Sequence, residues 1–173
     1  MAFHDRYFLI EKGEYEPLNE YQRQVILDHL SLCTQIPQRI NYNDIKFYWC
    51  SELDDRNINA AFVPYKPDSI FLKSISNPFN NIPKKLKVSL TQGMLDKVRD
   101  SYIDNIVQIV PYVGHEMVHM NQFHTQGRFI YAINSTSLLY PVMLDKKAFA
   151  VEKSCAIDLG LDSNLYGKIP ESD

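Results

Sequence analysis

The sequence lacks the features that mark secreted, membrane-spanning or disulfide-bonded proteins. Its three cysteines are widely spaced and form no CxxC pair, so neither a disulfide framework nor a cysteine zinc knuckle is predicted. No uncharged apolar run approaches the roughly 20 residues that a membrane span requires. Residues 1–12 also lack the basic start and the apolar centre of a signal peptide. We therefore expect a cytoplasmic protein without a membrane partner.

An excess of positive charge is absent as well. The formal net charge is −3, so binding of nucleic acid by bulk electrostatics is not indicated. The 173 residues are 45% hydrophobic and 23% charged, which is typical of a globular protein with a buried core. Because no repeat or linker divides the chain, we expect a single domain over residues 1–173, with its core at about 19–160.

The spacing of apolar residues predicts an α+β fold. Helical periodicity predicts four helices, over residues 19–33, 91–110, 112–123 and 144–160. Pro111 either kinks the second of these helices or starts the third. Short aromatic or alternating segments predict strands over residues 45–50, 60–65, 69–75 and 86–90. The strands are clustered between helices and do not alternate with them, which favours α+β over α/β.

One motif carries recognisable chemistry, because His115-Glu116-Met117-Val118-His119 fits the pattern HExxH. Residues four apart lie on one face of a helix, so both imidazoles can reach a single metal ion. Glu116 falls about 100° around the helix from His115, next to the open position of such an ion. From there it can take a proton from water and pass it to a leaving amine.

A helical projection separates the two histidines from the apolar side of their helix. Met117, Met120 and His124 fall within about 40° of Val113 and form one apolar seam with it. His115 and His119 lie on the opposite side. This arrangement favours a metal site over two histidines buried in the core, and leaves two exposed surface histidines as the alternative.

A catalytic zinc ion usually has three protein ligands, and Glu152 is the predicted third. It is a carboxylate in the middle of the apolar face of the last helix, where burial without a partner is costly. A buried ion pair with an arginine or lysine is the alternative explanation. Asp145, two turns earlier, is either a ligand or a residue that orients a histidine by a hydrogen bond. His124 is disfavoured because it points along the apolar seam.

HExxH followed by a glutamate after 32 intervening residues resembles the gluzincin arrangement. The sequence KVSLTQGML at residues 87–95 resembles the edge strand and following helix of minimal zincins, including SprT-like proteases, and HEMVHMNQ is similar to their active-site helix. The resemblance covers roughly residues 69–160, and only HExxH is specific. A SprT-like third histidine has no counterpart beyond His124. The resemblance implies a small, mostly antiparallel sheet packed on a long active-site helix, with an edge strand that pairs with an extended substrate.

The sequence thus predicts a zinc metallopeptidase, an endopeptidase rather than an exopeptidase, that hydrolyses a protein or peptide substrate. One zinc ion would be held by His115, His119 and Glu152, with Glu116 as general base and then general acid. The residue that stabilises the oxyanion stays open among Tyr131, Tyr140, Arg128, Tyr112 and His124.

Three alternatives to this function stay open at the level of sequence. The first is a non-enzymatic binding or structural protein with a zincin-like fold, for example in a phage particle, although the HExxH motif is undamaged. The second is a zinc hydrolase that acts on a bond other than a peptide bond. The third is a nucleic-acid-associated protease of the SprT-like type, for which the chain offers no basic extension.

Overall fold

A computed structural model describes residues 15–55, 57–74, 105–127, 129–131 and 140–168, without the side chains of residues 140–144. Its strands are β1 Tyr15–Pro17, β2 Lys46–Cys50, β3 Ala60–Phe62 and β4 Ser69–Lys73. Its α-helices are α1 Glu20–Leu30, α2 Ser51–Asp55, α3 Val110–Gln126 and α4 Tyr140–Asp158, and short 3-10 turns lie at Tyr42–Asp44 and Ser163–Leu165. Within the described residues, no helix combines the length and apolarity needed to cross a membrane.

The predicted α+β class is confirmed, and the predicted strands at 45–50, 60–65 and 69–75 each contain an observed strand. The predicted strand at 86–90 and the predicted helix up to residue 104 lie outside the described residues. Pro111 lies in the first turn of α3, where backbone N–H groups have no hydrogen-bond partner within the helix. The lack of an N–H on proline therefore costs nothing there, and Pro111 starts a new helix. That helix ends at Gly127 as predicted, whereas α4 begins four residues before the predicted 144.

The four strands form a mixed sheet in the order β1-β2-β4-β3. Two of its three pairings, β1 with β2 and β3 with β4, are antiparallel, and the central β2 and β4 are parallel. On one face of the sheet Phe47, Trp49 and Ile70 join the main core with the helices. On the other face Phe71 packs with Leu53 of α2. Because β4 is covered on both faces, its first four residues are all buried.

The N-terminus of α1 is joined to the sheet by a side-chain network. Asn19 accepts a hydrogen bond from Gln22 N at 2.8 Å, and Gln22 Oε1 accepts one from Asn19 N at 3.2 Å, which forms a capping box. The same Gln22 oxygen accepts a hydrogen bond from Trp49 Nε1 at 3.1 Å. Trp49 is the single tryptophan of the chain and is 2% exposed, so its polar atom is satisfied inside the core.

Helix α3 is buried on two sides. The predicted seam is confirmed at Val113, Met117 and Met120, which are all buried in the main core. His124, the fourth predicted member of the seam, is exposed, and its Nε2 lies 3.0 Å from the Pro67 carbonyl oxygen. The opposite side of α3 packs closely against α4, so the histidines on that side are buried as well.

Helix α3 approaches α4 closely at Gly114. A Cβ atom placed on Gly114 would lie 2.9 Å from Cys155 Sγ and 3.5 Å from Val151 Cγ1. Cys155 is a free thiol and is buried, like the other two cysteines of the chain. The absence of a side chain at Gly114 therefore lets the two helices approach each other.

Replacing Gly114 by alanine is expected to lower the free energy of unfolding by about 1 kcal/mol. Overpacking costs about 1–3 kcal/mol, and the better helix propensity of alanine returns up to about 1 kcal/mol. The matched control is the same change in a Cys155→Ala background, where the sulfur is gone and Gly114→Ala should stabilise the protein. Urea unfolding of the parent, the two single variants and the double variant measures the effect of Gly114→Ala on the free energy of unfolding with and without the Cys155 sulfur. An equal effect in both backgrounds would contradict the contact between Gly114 and Cys155.

Candidate metal centre

The candidate site lies between α3 and α4. His115 of α3 contacts Glu152 of α4, and His119, one turn later on α3, contacts Asp145, two turns earlier on α4. The helices are therefore antiparallel, and two acids seven residues apart face two histidines four residues apart. This pairing brings together every histidine and carboxylate that the sequence had proposed for the metal site, except His124.

Three side-chain atoms converge at the centre of the site. His119 Nε2 lies 3.3 Å from His115 Nε2 and 3.2 Å from Asp145 Oδ1. Among the described residues, His115, His119 and Asp145 form the group of potential ligands whose atoms all lie within 4.8 Å of one another. Both histidines are buried, whereas the side chain of Asp145 is 46% exposed. The group thus opens to solvent on the side of Asp145.

The second nitrogen of each ring faces a side-chain oxygen atom. His119 Nδ1 lies 3.2 Å from Gln122 Oε1, so with the amide in this orientation the proton is on Nδ1 and the lone pair on Nε2. His115 Nδ1 lies 3.3 Å from Glu152 Oε1, at ion-pair distance. Two imidazole Nε2 atoms and the Asp145 carboxylate therefore face one space. Nitrogen and carboxylate atoms in this arrangement suit a cation, either a metal ion or a proton.

The spacing of these atoms matches a metal ion. Ligand atoms at about 2.0–2.1 Å from a tetrahedral zinc ion lie about 3.3–3.4 Å from one another. The separations of His119 Nε2 from His115 Nε2 and from Asp145 Oδ1 are 3.3 and 3.2 Å. Two of the three separations in the group are thus those expected between ligands of one metal ion, and all three lie within 4.8 Å.

Glu152, the predicted third ligand, lies on the other side of the His115 ring. Its Oε1 is at ion-pair distance from His115 Nδ1, although the approach is not aligned as a hydrogen bond, and its Oε2 accepts a hydrogen bond from Gly167 N. The structure places Asp145 with the Nε2 atoms instead. Asp145, for which the sequence left both roles open, thus lies in the group of potential ligands, and Glu152 lies beside the far nitrogen of His115.

Negative charge surrounds His115. Burial lowers the pKa of this histidine, but the Glu152 carboxylate beside Nδ1 and the charges of Glu116 and Asp145 raise it by more, so that the pKa lies above its ordinary value. The ring of Phe149 packs edge-on against the His115 ring, with the centroids 4.7 Å apart. Electrostatics and packing together therefore hold this ring in place and favour a cation beside it.

Glu116 is held by the edge of the sheet. It is 4% exposed, and its Oε2 accepts a hydrogen bond of 2.9 Å from the backbone N–H of Phe62 in β3. Phe62 is fixed in turn, because its ring packs against those of Phe123 and Tyr131. The candidate general base thus takes its position from a strand that is 54 residues away in sequence.

The predicted oxyanion stabilisers are not brought to the three ligand atoms by any described contact. The ring of Tyr131 is buried against Phe62 and Phe123. Tyr112 packs against Tyr166 with the ring centroids 5.2 Å apart. Burial and then the charge of Glu152 raise the pKa of Tyr112, so its hydroxyl stays protonated. The side chain of Tyr140 and the whole of Arg128 lie outside the described residues.

A cavity of about 460 Å³ lies elsewhere on α3. Met120, Asn121 and His124 line it on the helix side, with Arg39 and Pro67 among the residues across from them. It contains none of the three converging side chains, so it is separate from the candidate metal centre.

Sequence reasoning missed the groups that support the ligands. Gln122 was visible as the last residue of HEMVHMNQ, three residues after His119, and this helical spacing was a usable signal. The Phe62 and Gly167 N–H groups belong to the backbone, which is the same for nearly all residue types, so the sequence could not indicate their role.

No family model matches the chain, and no curated protein or solved structure shows significant similarity to it.

Proposed function

We propose that this protein is a zinc-dependent hydrolase of peptide bonds, with one zinc ion held by His115, His119 and Asp145. The observation that carries the proposal is the convergence of two imidazole nitrogens and a carboxylate oxygen within 4.8 Å of one another, with two of the separations at 3.2 and 3.3 Å. Glu116, the neighbour of His115 in the chain, supplies a buried carboxylate beside that group.

The chemistry of the donor atoms favours zinc among common ions. Magnesium and calcium ions prefer sites made only of oxygen ligands, whereas imidazole nitrogens suit zinc and the late first-row metals. Two nitrogens and one carboxylate oxygen are a donor set found in catalytic zinc sites, where a fourth position stays open. Gln122 Oε1 faces His119 Nδ1 and favours the tautomer of His119 that can bind a metal through Nε2, and Glu152 Oε1 lies at ion-pair distance from His115 Nδ1.

The chain's own residues supply the proton transfer. Zinc, when bound, provides a Lewis acid that polarises a carbonyl group and lowers the pKa of water to about 7. Glu116 is fixed through Oε2 by the Phe62 N–H and keeps lone pairs with which to accept a proton from water. The same carboxyl group then donates that proton to the leaving nitrogen. A leaving amine requires this donation, which favours an amide bond over bonds with better leaving groups.

The experiment that tests this proposal is a metal analysis combined with an activity assay. Protein purified without chelator is expected to contain about one zinc ion per chain and to cleave casein. Chelation should abolish cleavage, and added zinc should restore it. His119→Ala should lose the metal, whereas His124→Ala, the nearest histidine outside the ligand group, should retain it. A parent protein that neither contains zinc nor binds it on titration would overturn the proposal.

A further inference from the structure

The chain reverses direction after α4. Gly160 has a φ of +71°, and Leu161 N donates a hydrogen bond of 2.9 Å to Ala156 O, which closes the end of the helix. Residues 163–168, called here the C-terminal strap, then run back along α4. The strap contacts α4 at Phe149, Glu152 and Lys153, on the helix that supplies two of the acids of the metal centre.

Gly167 makes the contact that matters for the site. Its backbone N–H donates a hydrogen bond to Glu152 Oε2, the oxygen that does not face His115. Its φ is +69°, and a Cβ atom would lie 2.7 Å from both Phe149 O and Lys153 Cβ. Only glycine therefore allows the strap to approach α4 closely enough to reach the carboxylate.

Tyr166 anchors the strap next to this contact. It is 6% exposed, and its hydroxyl donates a hydrogen bond of 2.8 Å to the Gln108 carbonyl oxygen just before α3. Burial, together with the neighbouring Tyr112 and Glu152, raises the pKa of Tyr166 to about 12, so the hydroxyl keeps its proton at neutral pH. The strap is thus attached to α3 through Tyr166 and to α4 through Gly167.

We propose that the C-terminal strap positions the metal ligand His115, because the Gly167 N–H orients Glu152 and Glu152 in turn holds the imidazole. The inference rests on the proposed metal site. Glu152 has three rotatable side-chain bonds, and a carboxylate bound at one oxygen is restrained at the other. Gly167 and Glu152 are therefore positioning residues, since neither is among the three converging ligand atoms.

Gly167→Ala is the variant that tests the strap. Its Cβ displaces the strap from α4 and withdraws the N–H from Glu152, so we expect the dissociation constant for zinc to rise by about 10–100-fold. Gly160→Ala is the matched control, because Gly160 has the same positive φ but no atom within 4 Å of a Cβ. This control carries the strain of the positive φ without the clash, so it should lose less stability and keep the parent's zinc affinity. Competition with a chromophoric zinc chelator measures both affinities.

A double-variant cycle then shows whether Gly167 acts through Glu152. In a Glu152→Ala background, Gly167→Ala should cause no further loss of zinc affinity, whereas an additive loss would overturn the proposal. Parent-like zinc affinity of Gly167→Ala alone would also overturn it while leaving the proposed function intact. A parent that binds no zinc would overturn the proposed function, and this inference with it.

Hydrogen exchange provides a measurement that does not require Gly167→Ala to fold. In the metal-free protein the Gly167 amide should exchange slowly, since it is bonded to a buried carboxylate. Glu152→Ala should accelerate this exchange by at least about 10-fold and leave the amide of Tyr166, which bonds to Ser163 O, unchanged. Equal exchange at Gly167 in both proteins would show that the contact does not form.

Discussion

Replacing Glu116 by glutamine is expected to lower the rate of casein hydrolysis by about 10²–10⁴-fold while one zinc ion per chain is retained. The glutamine side chain has nearly the same shape and can still accept the Phe62 N–H through its amide oxygen, so the fold and the ligand group should be unchanged. It has no basic oxygen that can take a proton from water and return it to the leaving amine. The loss should therefore appear in kcat at constant metal content.

Two measurements separate this outcome from a structural effect. The zinc content and the thermal unfolding temperature of Glu116→Gln should equal those of the parent protein. Activity within a few-fold of the parent, at full zinc occupancy, would remove Glu116 from the mechanism. Loss of zinc from Glu116→Gln would instead indicate that this carboxylate is itself a ligand.

Replacing Asp145 by alanine is expected to weaken zinc binding by more than about 100-fold, whereas Glu152→Ala should weaken it by about 10–100-fold. Asp145 Oδ1 lies with the His119 Nε2 atom inside the ligand group, so its removal deletes a bond to the metal. Glu152 contacts only the far nitrogen of His115, and its removal affects the orientation and basicity of that ring. Isothermal titration of the metal-free proteins with zinc measures which of the two substitutions weakens zinc binding more.

The conservative variants sharpen the comparison between the two acids. Glu152→Gln keeps an oxygen acceptor for His115 Nδ1 and is expected to bind zinc almost as tightly as the parent. Asp145→Asn exchanges a charged ligand for a weak neutral one and should lose most of the affinity. If Glu152→Gln proves the more damaging of the two, the third ligand is Glu152, as the sequence alone had favoured.

The two histidines were predictable because the information that relates them is local. Four residues of α3 place His115 and His119 on one face, whatever the rest of the chain does. The burial of Glu152 was predictable for the same reason, since its neighbours along α4 are apolar. Pro111 and Gly127 likewise mark the ends of α3 by backbone properties that belong to the residues themselves.

The choice between Asp145 and Glu152 was not predictable from sequence. The two residues are seven apart and lie on one stripe of α4, so both face α3. Which one meets the Nε2 atoms depends on how far α4 is shifted along α3, and that shift is set by packing such as the contact of Gly114 with Cys155. The bond from Phe62 N–H to Glu116 is similarly a product of tertiary structure.

The capping box of α1 has a spectroscopic consequence. Trp49 is the only indole in the chain, and its buried N–H is bonded to Gln22 of α1. Intrinsic fluorescence excited at the indole band therefore reports whether α1 remains docked on the sheet. An emission maximum that stays blue-shifted while zinc is added or removed would mark a change confined to the histidines and acids. A red shift would mark opening of the whole domain.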